Sequence, residues 1–160
     1  MIKSHLGSRQ VARVVYGAII GLALIVALQK HPPAAGTMIA SLMGTAVAVG
    51  LAELYAEMVG IETRERHRIR RDQLGELRDD SLAVAFGVAF PTVFFLLAVL
   101  GAIELDTAFD LAKWTGLGLI GFYGFVAARY AGAPVSRALI QGAGAAAIGG
   151  ALIAFKALVH

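Results

Sequence analysis

At 160 residues, with 58% hydrophobic and 16% charged side chains and a mean hydropathy of +0.74, the chain is too apolar for a soluble domain of its size. The absence of cysteine excludes disulfides and thiolate metal or redox sites, and four scattered histidines offer little for zinc. A net charge of +3 does not indicate nucleic acid, because the basic residues crowd the ends of apolar segments instead of covering one soluble face.

Five uncharged runs predict five membrane-spanning helices, at about 11–29, 36–58, 82–104, 108–129 and 136–157. Crossing ~30 Å of hydrocarbon at ~1.5 Å per residue takes about 20 residues. The short runs Val14–Gln29 and Trp114–Ala128 therefore borrow flanking positions, with Asp110 and Lys113 able to pair near the interface. None of the runs alternates as a barrel strand would, so the expected fold class is an all-α integral membrane protein forming a single membrane domain.

In the first span, Gly17 and Gly21 make a small face four residues apart, matched in the second by Gly36, Ala40 and Gly44. These rows are expected to bring the first two helices together. The short first run also resembles a signal peptide, but Gln29-Lys30-His31-Pro32-Pro33 offers no good small-x-small cleavage site. After the second span comes an arginine-rich stretch, 62–80, read as a helical hairpin continuing that helix into the cytoplasm. Its Glu62, Glu65, His67 and Glu76 make a poor cation site because arginines lie between them. Pro91 removes a backbone donor inside the third span and predicts a kink or hinge. In the fourth, Gly116 to Gly121 spells GxGxxG with no preceding strand, which signals helix packing and no nucleotide site.

With loops assigned alternately to the two sides, 11 of the 14 Lys and Arg residues fall on one side, leaving only Lys30, Lys113 and Lys156 on the other. The N-terminus is then cytoplasmic and the C-terminus opposite, in a multi-pass protein of the plasma membrane if the source is bacterial.

Only Gly50–Gly60 places acids inside an apolar run. Glu53 and Glu57 share a helix face, Glu57 one turn nearer the headgroups. A carboxylate in hydrocarbon costs about 2.5–3.5 kcal/mol at a helix centre, so this pair must face the bundle, be protonated or hold a cation. Two close acids also raise one pKa, which suits proton exchange against a metal ion. Met58 adds a thioether suited to ferrous or manganous ions, as do Met38 and Met43, which more often pack. The competing reading pairs Glu53 with an arginine or the Tyr16 hydroxyl and leaves Glu57 snorkelling.

Ala52-Glu53-Leu54-Tyr55, the short basic connection Ala127 to Leu139 and the Gly- and Ala-rich run from Gly142 are similar to features of the vacuolar iron transporter family. That resemblance, over about 145 residues of layout, implies five spans, a cytoplasmic N-terminus, a cytoplasmic insertion after the second span, and a homodimer with the ion path at its interface. It implies a role in the ion path for Glu53, which stands where the family has Gly-Glu-Tyr, here with the tyrosine one place later. Tyr16-Gly17 stands where the family has Asp-Gly, leaving Glu57 as replacement for the lost acid. The insertion is shorter here, and arginine-rich where metal-storing members are glutamate-rich.

The expected function is a transporter of a divalent metal cation of the iron or manganese class, proton-coupled through Glu53 and Glu57, with no covalent cofactor and no nucleic-acid partner. The alternative is a non-transporting polytopic protein that assembles through its glycine-rich helices. An enzyme is not expected, since no histidine lies in the predicted bilayer core and no serine stands beside a base.

Overall fold

The computed structural model describes residues 2–65 and 71–158, and its regular elements there are all helices: α1 (Ile2–Leu28), α2 (Ala35–Glu65), α3 (Arg71–Ala89), α4 (Thr92–Val99), α5 (Leu105–Tyr130) and α6 (Val135–Leu158). Four of them are long and apolar enough to cross a membrane. A fifth crossing results if α3 and α4, bent by 46° at their break, count as one. Such a bundle is compatible with a multi-pass membrane protein.

Local chemistry sets the breaks. Between α1 and α2, Pro32 and Pro33 lack amide donors and hold the chain out of helix. At Pro91 the missing N–H ends the α3 ladder; Phe94 donates to the Pro91 carbonyl at 3.1 Å and α4 starts in a new direction. The third predicted span, 82–104, is thus helical from Arg71 and already over at Val99. Gly101 stops it: φ is +73°, and Ala102 N–H reaches back to the Leu97 carbonyl at 2.9 Å. Gly132, at φ +81°, closes α5 in the same way, with Ala133 N–H bonded to the Ala128 carbonyl at 3.0 Å.

The helices pack around α1. One side of α1 lies on α3 and the other on α5, α6 covers α5, and α2 lies on α3 and α4. Although consecutive, α1 and α2 touch far less than either touches α3. Two apolar clusters fill the interior, one of Ala18, Leu22, Val26 and Ile120, the other including Ile25, Met38, Leu42, Phe95 and Phe109. Phe95 and Phe109 meet edge to face with centroids 5.0 Å apart, bringing α4 onto α5.

The small face of α1 therefore meets α3 and not α2. A Cβ on Gly17 would collide with the Val84 carbonyl, one on Gly87 with the Val14 carbonyl, and one on Gly21 would lie 3.0 Å from the Val88 carbonyl. Gly36 and Gly44 face open space. The α3 sequence wins the contact because Gly87 lets two backbones touch where α2 offers only a one-sided row. The clash between Gly17 and Val84 and that between Gly87 and Val14 exchange under a shift of 70 residues, which reveals an internal repeat. Val14-Val15-Tyr16-Gly17-Ala18 corresponds to Val84-Ala85-Phe86-Gly87-Val88, and the buried positions Val11, Ile25, Met38 and Leu42 to the buried Ser81, Phe95, Ala108 and Ala112. Contacts between α1 and α3 advance together along both helices, so the helices are parallel and the two halves are related by a pseudo-two-fold axis along the bundle, with α6 added.

Adding a methyl group at this crossing forces the backbones apart. Gly17→Ala and Gly87→Ala should each cost about 1–3 kcal/mol in unfolding of the detergent-solubilised protein, whereas Gly44→Ala should stay within about 0.5 kcal/mol. Equal effects at all three positions would contradict the crossing.

Candidate functional site: a carboxylate cluster centred on Arg13

Arg13 lies one turn before Gly17 on α1, so the close α1–α3 crossing delivers its guanidinium into the cleft shared by α1, α2 and α3. There it forms an ion pair with Glu53 of α2, lies 3.3 Å from Glu57 Oε2 on the next turn of α2, and 3.9 Å from Asp80 Oδ2 of α3. Arg64, further along α2 and well exposed, approaches Glu57 at 3.8 Å. Side-chain exposure is 24% for Arg13, 16% for Glu53, 24% for Glu57 and 9% for Asp80, so the cluster is largely withdrawn from the surface.

The helices that hold the cluster are pinned beside it. Ser81, next to Asp80, donates its hydroxyl to the Gly50 carbonyl, one turn before Glu53. A Cβ on Gly50 would lie only 3.4 Å from that of Ala85. Gly50 thus lets α2 approach α3 closely enough for both to present acids to one arginine. The repeat does not duplicate this chemistry: Arg13 corresponds to Ala83, Glu53 to Tyr123 and Glu57 to Ala127.

A guanidinium keeps its proton at any physiological pH and presents five donors in a rigid plane. It can serve several carboxylates at once and shift among them as one is protonated. Removing one partner from a withdrawn pair leaves the other charge uncompensated, at a larger cost than removing both. Arg13 lies between the carboxylates of Glu53, Glu57 and Asp80, and among the described residues no three acidic or histidine side chains are grouped to hold a metal ion.

Of the residues singled out from sequence, Glu53 and Glu57 come together: Glu53 pairs with an arginine, and Glu57, which the competing reading left snorkelling, lies on the same guanidinium. Tyr16 is half exposed, Met58 is partly buried about 100° around α2 from Glu57, Met38 is in the core and Met43 faces outward. Within GxGxxG, Gly121 packs against Ala146 and Gly116 near Leu22, while Gly118 is open, all inside continuous α5. Glu62 and Glu76 are exposed; His67 lies outside the described residues, as does the side chain of Glu65. Arg13 and Asp80 were not singled out. Each sits at the edge of an apolar run, where a charge reads as a topology marker; an arginine one turn before a small-residue face, in register with an acid before the corresponding Val84, was the available signal.

Comparisons with family models, with curated proteins and with solved structures find no match to this chain.

A double-mutant cycle measures the central pair. Arg13→Met should destabilise the protein more than Arg13→Met/Glu53→Gln, with a coupling of about 1–3 kcal/mol in chemical unfolding. Additive effects would show that the two charges do not sense each other.

Proposed function

We propose that the protein is a multi-pass membrane carrier, N-terminus in the cytoplasm, that exchanges a divalent cation of the iron or manganese class for protons. The observation that supports this reading is the convergence of three carboxylates, from α2 and α3, on one withdrawn guanidinium in an otherwise apolar bundle. Acids are kept at such a place for ion or proton traffic more often than for stability, since apolar packing would hold the helices as well.

In this mechanism Arg13 is a tethered counter-ion. A cation entering from the cytoplasmic end takes the carboxylates of Glu53 and Glu57, and Arg13 swings toward Asp80. Protonation of the glutamates releases the cation and Arg13 returns. The break at Pro91 supplies a joint about which α3 moves while α4 stays on Phe109. A homodimer and a divergent relationship to vacuolar iron transporters accompany this reading, resting on the sequence resemblance alone. Met58 remains a candidate soft ligand only if α2 rotates.

A second reading is favoured by the same ion pair. With Arg13 already on Glu53, the cluster is a clamp that fixes three helices, in a protein that works by assembling through its outward faces. The two readings separate in proteoliposomes carrying a pH gradient. The carrier predicts saturable ferrous or manganous flux that falls roughly tenfold or more in Glu53→Gln, with the variant still folded. Flux absent from the folded wild-type protein, or unchanged in the variant, would contradict the carrier and leave the clamp.

A further inference from the structure

On the outward side of the α2–α3 contact, away from Arg13, an open groove of about 270 Å³ runs beside the Gly50–Ser81 hydrogen bond. Val47, Leu51, Leu82 and Ala85 form its apolar walls, Gly50 its floor, and among the described residues Arg78 is the one charged residue lining it. Val47, Leu51 and Leu82 are all more than half exposed, so the groove is part of the outer surface of the bundle. Arg78 is 75% exposed, and one of its nitrogens lies 3.3 Å from Oδ1 of its neighbour Asp79, leaving other donors of the fork to point elsewhere.

We propose that this groove holds one anionic phospholipid, an acyl chain lying along Val47, Leu51 and Leu82 and the phosphate on Arg78. The polarity of the groove fits an amphiphile: apolar along the helices, and cationic where Arg78 stands one turn before Leu82 on α3. Basic ends of grooves between spanning helices recognise anionic headgroups, while the neighbouring Asp79 disfavours a free anion that has no chain to bury. A partner helix would need a wider apolar face and would leave Arg78 against hydrocarbon. The proposal depends on the bundle lying in a bilayer and not on ion transport. Gly50 and Ser81 also belong to the contact that presents Glu53, so a lipid here would brace the α2–α3 contact behind the cluster.

The test is native mass spectrometry of the full chain, stripped of lipid in neutral detergent and titrated with phosphatidylglycerol or phosphatidylcholine of identical acyl chains. The wild-type protein should retain phosphatidylglycerol about fivefold better. Arg78→Gln should abolish that preference and leave phosphatidylcholine binding as it was, and Val47→Phe, which fills the groove from an exposed position, should weaken both. Helix content by circular dichroism checks that each variant is folded. Equal retention of the two lipids, or a preference that survives both variants, overturns the proposal. So does displacement of phosphatidylglycerol by millimolar inorganic phosphate, which would mark a free-anion site, or a Val47→Phe variant that loses only self-association, which would mark the groove as a contact between copies.

Discussion

A guanidinium that cannot give up its charge, placed in an apolar bundle, dictates which helices must surround it. Arg13 needs carboxylates, and the chain supplies them from α2 and α3. This requirement accounts for an arrangement that connectivity alone would not give. Helix α3 packs against both α1 and α2, and the consecutive pair touches far less than either touches α3.

Close approach makes the ion cluster geometrically possible. Gly17 and Gly87 let α1 and α3 touch backbone to backbone, and Gly50 lets α2 come down on Ala85. The crossing lies one turn from Arg13 and the α2–α3 contact one turn from Glu53, so packing and electrostatics are fixed together. The halves share a scaffold under the pseudo-two-fold relation, the packing of α2 on α3 answered by that of α5 on α1, yet Arg13, Glu53 and Glu57 are answered by Ala83, Tyr123 and Ala127. The repeated scaffold is thus asymmetric at the Arg13 cluster.

Much of the fold was legible from residue chemistry. Long uncharged runs specify helices, Pro91 specifies a break, and the isolated acids Glu53 and Glu57 stand out because carboxylates are costly in apolar surroundings. Pairing of the helices was not legible. A row such as Gly36, Ala40 and Gly44 has the same pattern whether it meets a helix or faces outward, and the partner of Gly17 is decided by Gly87, 70 residues on, through a carbonyl contact with no sequence signature. The repeat was hidden for a related reason: what is preserved is the order of buried positions, with Met38 answered by Ala108 and Ile25 by Phe95, so side-chain volumes were traded across the halves. Arg13 and Asp80 escaped because a charge at the edge of an apolar run has an ordinary explanation as a topology marker.

The position of α3 between its two neighbours is the claim on which the cluster, the groove and the proposed movement of Arg13 all rest. Because the chain has no cysteine, a single introduced pair reports on it cleanly. Positions 50 and 85 have Cβ positions 3.4 Å apart, near the ~3.8 Å typical of a disulfide. Mild oxidation of Gly50→Cys/Ala85→Cys in membranes should therefore give rapid, intramolecular cross-linking of α2 to α3. A folded protein that forms no such bond, or forms it only between copies, would contradict the arrangement.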